Sequence, residues 1–293
     1  MRLTPGTVAV ILLALGACTS RTPPPSKAAA KPETAVQAPA PQPTPPTTLH
    51  GTHTVARVDG YDVHVIAPTK LHTDAQHPWV WIFPMNFFLD LAPNVGSDSE
   101  RYGNSLLDAG FYLIGVGAEG RGSPASMALF EHAYTHVTTT YGLAPQARMF
   151  VASRGALDAI GYLSRHPDHA DRIAGIYPAV DWFDWPGRDG LPHQNVDVPL
   201  GFTDGDRANL DALNPINSLA PLASHGVRLL LMHGLKDNTV HIGPNAQTVV
   251  KRYRALGGAV SLMTIPKMGH DNSGTFRPEM ISFLTTKSFA GKK

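Results

Sequence analysis

The stretch that decides the fold reads Arg148-Met149-Phe150-Val151-Ala152-Ser153-Arg154-Gly155-Ala156-Leu157. A short apolar run stops at a serine, and small residues then begin a segment of helical character. On a turn between a strand and a helix, a serine hydroxyl is exposed where a nearby histidine can deprotonate it for attack on a carbonyl. Ser153 is therefore the candidate nucleophile, although a serine in this position is more often an ordinary helix N-cap.

The turn around Ser153 departs from the G-x-S-x-G pattern at one position. Val151 stands where the first glycine is expected, and a strict copy of the pattern occurs nowhere else in the chain. Small residues are needed here because strand and helix pass close together. We therefore expect the turn at Ser153 to open slightly or to tilt.

Apolar runs alternate with helix-like segments along the chain. Residues 52–68 alternate around Asp59-Gly60 and predict a β-hairpin. Runs that are apolar on both faces predict strands covered on both sides, and they span 79–83, 111–116, 149–151, 172–177, 227–232 and 260–265. Helical patterns span 98–109, 125–141, 154–166, 244–256 and 277–287. This order predicts an α/β fold: a doubly wound, mostly parallel sheet preceded by an N-terminal β-hairpin.

One interval breaks the alternation. Residues 181–226 lie between a strand that ends near Val180 and one that begins near Val227, and they are rich in Trp, Pro, Asp and Gly. A loop of this length in a compact domain is usually a lid or a binding insert. We therefore expect this insert to cover the site.

A base and an acid for Ser153 follow two later strands. Asp237 comes after the strand at 227–232, and His270 comes after the strand at 260–265. In an open parallel sheet these loops share one edge with the serine turn. The order Ser153, Asp237, His270 is the one expected for a Ser-His-Asp hydrolase. Asp181, which follows the predicted strand at 172–177, is the rival for the acid.

The N-terminal segment predicts export. Residues 1–18 read as a signal peptide whose apolar core is too short to span a bilayer, and Leu15-Gly16-Ala17-Cys18 resembles a bacterial lipobox. Cys18 is the chain's single cysteine, and we expect it to be lipidated, which anchors the protein in the bacterial envelope. By resemblance to the lipoprotein sorting rule, the lack of Asp after Cys18 indicates the outer membrane. Residues 19–50 are rich in Pro and Ala and predict a disordered tether, so the folded domain spans 51–293.

Charge and motifs exclude other classes of function. The formal net charge is +1, which argues against nucleic acid as a partner. His132 and His136 have helical i, i+4 spacing, but no third ligand is evident, so we expect no metal. Residues 115–122 are glycine-rich yet lack the G-x-G-x-x-G register that opens a helix. We expect no cofactor and no obligate protein partner.

The core from about Trp79 to Phe283 resembles the α/β-hydrolase fold of serine hydrolases, and in particular bacterial secreted esterase-like members whose elbow reads S-R-G-G. The matching stretches are Ser153-Arg154-Gly155-Ala156-Leu157, Tyr177-Pro178-Ala179-Val180-Asp181, His233-Gly234-Leu235-Lys236-Asp237 and Gly269-His270. Ala156 replaces the second glycine. The resemblance implies an oxyanion hole made by the backbone N–H of Arg154 and one from Met85 or Asn86.

The expected substrate is a small-molecule or carbohydrate-linked ester. Four aromatic residues are candidates for an acyl or sugar pocket, although aromatics are also ordinary core; they are Phe87, Phe88, Trp182 and Trp185. Two alternatives stay open. Val151 could mark an inactive, ligand-binding lipoprotein with a hydrolase fold, and the same three side chains would also serve a serine peptidase, although oligopeptidases usually carry an additional large domain.

Overall fold

The computed structural model describes residues 49–72, 77–89, 96–118, 120–187, 203–271 and 273–286. The expected signal peptide at 1–18, its Cys18 and all but the end of the tether at 19–50 lie outside these residues. So does the part of the insert at 188–202. No helix among the described residues combines the length and the apolar character needed to cross a bilayer.

The domain begins with the predicted hairpin. Strands β1 (Gly51–Val58) and β2 (Tyr61–Pro68) pair antiparallel. Their turn residues Asp59 and Gly60 have positive φ of 50° and 83°, as a tight two-residue hairpin turn requires. Strand β2 also pairs antiparallel with a later strand, which joins the hairpin to the main sheet.

The rest of the sheet is parallel. Its strands are β3 (Trp79–Phe83), β4 (Tyr112–Val116), β5 (Ala147–Ala152), β6 (Ala170–Ile176), β7 (Arg228–Gly234) and β8 (Val260–Ile265). Within the described part of the chain the sheet order is β1-β2-β4-β3-β5-β6-β7-β8, and all neighbours from β4 to β8 are parallel. The carboxyl ends of these six strands therefore share one edge, where ligands bind in open α/β sheets.

Helices cover both faces of the sheet. In chain order they are α1 (Asn86–Leu89), α2 (Asp98–Asp108), α3 (Pro124–Thr140), α4 (Gly155–Leu163), α5 (Asp204–Ala208), α6 (Leu210–Leu213), α7 (Ala220–Ser224), α8 (Thr248–Ala255) and α9 (Pro278–Thr285). Apolar side chains of α3, α4 and α8 pack on one face, and those of α1, α2 and α9 pack on the other. The predicted doubly wound α/β class is confirmed.

The core residues of β3 show how the two faces are filled. Trp79, Trp81 and Phe83 are buried with the α3 and α4 side chains. Val80 and Ile82 are buried with the α2 side chains. Successive residues of a strand point to opposite faces, so this five-residue run contributes to both hydrophobic layers and can carry no polar residue without cost.

Element boundaries shift by a few residues from the sequence prediction. Strand β6 begins at Ala170 and ends at Ile176, one residue before the expected end. The segment predicted as helix from 244 divides into a wide turn at Gly243–Gln247 and α8. Of the insert, the described part contains α5, α6, α7 and the 3₁₀ turn Pro215–Asn217.

Candidate active site

Ser153 lies on a sharp turn between β5 and α4. Its φ is +49°, a left-handed conformation that is uncommon for a residue with a side chain and costs backbone energy. Two hydrogen bonds hold it there: the Ser153 N–H donates to the Ile176 carbonyl oxygen at 3.0 Å, and the Ser153 carbonyl oxygen accepts from the Ala179 N–H at 3.0 Å. Neighbouring strand β6 and its following loop thus fix the strained turn.

Gly155 is required by the close approach of α4 to β3. A Cβ at this position would lie 2.1 Å from the carbonyl carbon of Phe83 and 2.3 Å from the nitrogen of Pro84. Those atoms belong to the backbone and cannot move aside. A side chain at position 155 would therefore clash with the backbone after β3, which explains the glycine there. The next position tolerates a methyl group, and Ala156 is fully buried.

Val151, the departure from the expected pattern, has a compensating partner. It pairs in register with Gly175 on β6. A Cβ built on Gly175 would lie 3.1 Å from Val151 Cγ2, so the space that a side chain would occupy on β6 is filled by the valine instead. The turn at Ser153 keeps its positive φ with the valine in place.

The three predicted polar residues meet at the carboxyl edge of the sheet. Ser153 Oγ lies 2.8 Å from His270 Nε2, and His270 Nδ1 lies 2.8 Å from Asp237 Oδ2. Asp237 is on the loop after β7 and His270 on the loop after β8. Both contacts are hydrogen-bond distances, so the serine, the histidine and the aspartate form one continuous chain.

The environment of Asp237 favours its charged form. Its side chain is fully buried, and burial alone would raise its pKa. Hydrogen bonds outweigh this: His233 lies 3.5 Å and His270 2.8 Å from Oδ2, and Oδ1 accepts from the N–H groups of Val240 and Thr239 at 2.9 Å each. The pKa of the Asp237 carboxyl is therefore held well below its usual range.

A cavity of about 310 Å³ opens beside Ser153 and His270. Phe87, one of the predicted pocket aromatics, lines it. Besides Ser153 and His270, its polar lining includes Asn86, Arg154 and Asp271. Such a space accommodates a small organic group next to the serine hydroxyl.

Two of the three predicted oxyanion residues line the cavity. They are Arg154, at the start of α4, and Asn86, at the start of α1. Met85 instead packs its side chain against the core under α2. The next amide along, that of Phe87, donates to the Pro84 carbonyl oxygen at 3.1 Å.

Tyr177 was missed as a site residue by sequence reasoning. It follows β6 directly, has a positive φ of 36°, lines the cavity, and places its ring centroid 4.4 Å from that of His270. Burial raises the pKa of its hydroxyl, so it remains a neutral phenol near neutral pH. Its strained backbone beside the serine turn is the signal of a site residue, and no sequence pattern reveals it.

The two tryptophans expected in the pocket lie elsewhere. Trp182 is fully buried in a small cluster with Leu157 and Val240, and its indole N–H donates to the Arg121 carbonyl oxygen at 2.8 Å. Trp185 packs against the same cluster. Neither is among the residues that line the cavity beside Ser153, and Trp182 is a core residue here. The side chain of Phe88 lies outside the described residues.

Asp181, the rival acid, is engaged away from His270. Its Oδ1 accepts from Asn214 Nδ2 at 2.7 Å and from the Phe183 N–H at 3.0 Å. Its own N–H donates to Asn245 Oδ1 at 3.0 Å. The carboxylate therefore links the beginning of the insert to Asn214 near its end, and the acid that contacts His270 is Asp237.

His132 and His136 do not converge on a shared ligand. His132 Nδ1 pairs with Asp59 on the hairpin turn. His136 Nδ1 lies 3.4 Å from Thr140 Oγ1 on its own helix. Each histidine therefore has its own local partner on or near α3.

Comparison with known proteins identifies the architecture. No family model matches the sequence, and no curated protein sequence matches it. Among solved structures the chain is similar to S-formylglutathione hydrolase (FrmB) from Staphylococcus aureus, with a TM-score of 0.60, 11% identity, and 80% of this chain and 98% of that one covered. It is also similar to Mycobacterium tuberculosis MPT51, with a TM-score of 0.56, 15% identity, and 77% and 92% covered. The fold is that of the α/β-hydrolases.

Peptidases share the fold over part of their length. Pyrococcus horikoshii acylaminoacyl peptidase matches with a TM-score of 0.57 and 14% identity over 80% of this chain. The matched region is only 40% of the peptidase. At identities this low the α/β-hydrolase likeness describes architecture, and the chemistry has to be argued from the residues of the site.

Proposed function

We propose that this chain is a serine hydrolase that cleaves an ester or related acyl bond through an acyl-enzyme. The observation that carries the proposal is the continuous hydrogen-bonded chain from Ser153 Oγ through His270 to Asp237, with both links at 2.8 Å. It connects a strained serine, a base and a buried carboxylate in the arrangement that nucleophilic acyl transfer needs.

The mechanism has two halves. In the first, His270 Nε2 takes the Ser153 proton as Oγ attacks the substrate carbonyl carbon, and the resulting imidazolium then protonates the departing alcohol. In the second, His270 takes a proton from water as it attacks the acyl-enzyme carbonyl, and returns that proton to Ser153 as the acid departs. Throughout, the charge of Asp237 stabilises the imidazolium and keeps Nδ1–H oriented.

Charge that develops on the carbonyl oxygen needs donors. We assign this role to the N–H groups of Arg154 and Asn86, which belong to two residues that line the cavity. Because such donors act on the transition state, removing one costs about a hundredfold or more in rate. Backbone amides at two helix starts suit an anionic oxygen electrostatically as well.

The lining of the cavity favours a small, partly polar substrate. Phe87 and Tyr177 offer apolar surface, whereas Asn86, Arg154 and Asp271 offer hydrogen-bonding groups. A volume near 310 Å³ suits a short acyl group on a polar alcohol such as a sugar better than a long lipid chain. This supports the expected small-molecule or carbohydrate-linked ester.

Of the two rival functions, the serine peptidase has the more specific support. The inactive-lipoprotein hypothesis rested on Val151, and the pairing of Val151 with Gly175 weakens it. A serine peptidase remains the second candidate because structural neighbours include an acylaminoacyl peptidase and a dipeptidyl peptidase 4. The same Ser153, His270 and Asp237 would serve both.

The location is part of the proposal. We infer that the chain is exported and lipid-anchored in a bacterial envelope through Cys18, on the sequence pattern at residues 15–18. Mass spectrometry of the mature N-terminus tests this directly: a diacylglyceryl-modified Cys18 supports it, and an unmodified Met1 contradicts it.

A panel of chromogenic substrates tests the activity. Purified protein is assayed with p-nitrophenyl acetate, butyrate and octanoate, with acetylated sugars, and with aminoacyl p-nitroanilides. We expect the highest kcat/KM on a short-chain ester, and Ser224→Ala, which alters an exposed serine far along the chain, should match the wild type. Preference for the anilides would favour the peptidase, and turnover of none of them would favour the binding protein.

A further inference from the structure

A second cluster of titratable side chains lies at the far end of α4 from Ser153. Glu131 comes from α3, while His166 and His169 flank and end the 3₁₀ turn Pro167–His169 that leads into β6. Helix α4 is nine residues long, or about 13 Å at 1.5 Å per residue. The cluster is therefore separate from the cavity at the carboxyl edge of the sheet.

The spacing of the three side chains is compatible with a metal ion and too wide for direct hydrogen bonds between them. His166 Nδ1 and His169 Nδ1 lie 3.4 Å and 3.6 Å from the same oxygen, Glu131 Oε2. A charge-assisted hydrogen bond would be about 2.7–2.9 Å. Ligands bound at about 2.0–2.1 Å to a tetrahedral ion are about 3.3 Å apart. One ligand atom from each residue lies within 4.8 Å of the others.

The donor set has a chemical preference. Two imidazole nitrogens and one carboxylate oxygen suit Zn²⁺ and similar borderline divalent ions, and not Ca²⁺ or Mg²⁺. The side chains are partly buried, with exposed fractions of 30% for His166, 15% for His169 and 34% for Glu131. An ion can therefore enter from solvent and keep water at its remaining position.

Aromatic neighbours hold the ligands in position. The His169 ring stacks on Tyr134 at 3.7 Å, and the His166 ring stacks on Tyr162 at 4.8 Å. Contacts of this kind restrict the ring planes before any ion arrives, which lowers the entropy cost of binding.

The hydroxyl of Tyr162 completes the surroundings. It lies 2.8 Å from Glu131 Oε2 and 2.7 Å from His169 Nδ1. A phenol carries a single proton and can donate to only one of these acceptors. An ion that binds His169 Nδ1 replaces the Tyr162 hydroxyl at that nitrogen, and the Tyr162 proton then remains with Glu131, the second-layer hydrogen bond that metal-binding carboxylates usually have.

We propose that Glu131, His166 and His169 form a structural site for Zn²⁺ that joins α3 to the connection between α4 and β6. Sequence alone gave no hint of it, because Glu131 is 35 positions from His166 and the i, i+4 pair His132/His136 draws attention to the wrong face of α3. The site is independent of the proposed hydrolase activity.

Metal analysis of the full chain tests the site. Chelator-treated protein is titrated with ZnSO₄ and measured for bound zinc by mass spectrometry, and CoCl₂ is used for a visible spectrum. We expect one zinc per chain, an intense d–d band typical of tetrahedral Co²⁺, and a rise in Tm of about 4 °C or more at saturating zinc. Binding of less than about a fifth of an equivalent of zinc, with no shift in Tm, would overturn the proposal.

Matched variants locate the ion. Glu131→Gln and His166→Gln should each abolish stoichiometric zinc binding and the Tm rise. The control His132→Ala/His136→Ala, on the same helix α3, should retain both. Should a ligand variant fail to fold, the Co²⁺ spectrum of the wild-type protein still decides, since its absence contradicts the proposal. Full zinc binding by folded Glu131→Gln protein would also overturn it.

Discussion

Val151 and Gly175 face each other across strands β5 and β6, and the valine fills the space that a side chain on Gly175 would need. The two are register partners, and a Cβ on Gly175 would come within 3.1 Å of Val151 Cγ2 and 3.0 Å of Leu231 Cδ2. Val151, which replaces the first glycine of the G-x-S-x-G pattern, thus lies opposite a glycine on strand β6. Ser153, two residues on, keeps its positive φ, the strained conformation that the proposed nucleophile turn requires.

This pairing predicts coupled stabilities. Gly175→Ala adds a methyl group where contacts are already tight, and we expect a loss of about 1–3 kcal/mol in the free energy of unfolding. Val151→Ala removes buried methyl groups and should cost a similar amount. In the double variant the alanine at 175 occupies part of the vacated space, so the combined loss should be at least about 0.5 kcal/mol smaller than the sum. Urea unfolding measures all three, and additive losses would show that the two positions do not compete for space.

We expect substitutions of the two candidate acids, Asp237 and Asp181, to differ in their effects on kcat and on stability. Asp237→Asn removes the charge that stabilises protonated His270 and disturbs its tautomer, so kcat should fall by about 10⁴. Asp181→Asn weakens the hydrogen bonds from Phe183 and Asn214 that hold the insert together, so it should lower the free energy of unfolding by about 1 kcal/mol and leave kcat nearly unchanged. Steady-state kinetics and urea unfolding on both variants separate them. The reverse pattern would make Asp181 the functional acid.

Tyr177 is expected to position His270 through its ring. Tyr177→Phe keeps the ring at 4.4 Å from the imidazole and should keep most of the activity. Tyr177→Ala lets the imidazole move, and we expect kcat to fall by about 10–100-fold with a smaller change in KM. Comparable losses in the two variants would instead assign the effect to the hydroxyl group.

A buried histidine pair predicts how stability depends on pH. Burial, and then the charge of His64, lower the pKa of His53 from 6.5 to about 4, and burial lowers the pKa of His64 against the opposing charge of Asp62. His53 Nε2 lies 2.9 Å from His64 Nδ1. Between pH 6.5 and 4 the unfolded chain binds a proton at His53 that the folded chain does not.

Stability should therefore fall as the pH drops from 6.5 to about 4, by up to about 3 kcal/mol from His53 alone. Above pH 6.5 His53 is mostly neutral in both the folded and the unfolded chain, so this loss of stability is absent there. Urea unfolding at several pH values should show a shallower acid loss in His53→Gln than in the wild type, with exposed His225→Gln as the control. An unchanged slope in His53→Gln would remove His53 as the cause.

Continuous apolar runs predicted the parallel strands because these strands are buried on both faces of the sheet. The run Trp79 to Phe83 coincides with β3 residue for residue, since its alternate side chains fill two hydrophobic layers. Turn chemistry was equally direct at Asp59-Gly60, where two residues of positive φ close the hairpin. Strand ends were less certain, and Tyr177 was assigned to β6 although its backbone turns away there.

The site was harder to predict where it depends on register or on apolar side chains. The role of Gly175 depends on its pairing with Val151 on the neighbouring strand, and no local sequence pattern predicts that pairing. Trp182 has the same apolar character in a pocket as in a core, and here it closes a core cluster. Ser153, Asp237 and His270 were easier to identify as candidates because each follows its own apolar run at the same edge of the sheet.

Covalent labelling with a fluorophosphonate probe tests the central claim most directly, because only an activated serine reacts. We expect the wild-type protein to gain one phosphonyl group, located on Ser153 by peptide mass spectrometry. Ser153→Ala should show no labelling, His270→Ala should label far more slowly, and Ser224→Ala should label like the wild type. Equal labelling of wild-type and Ser153→Ala protein, or no labelling of the folded wild type, would contradict the account.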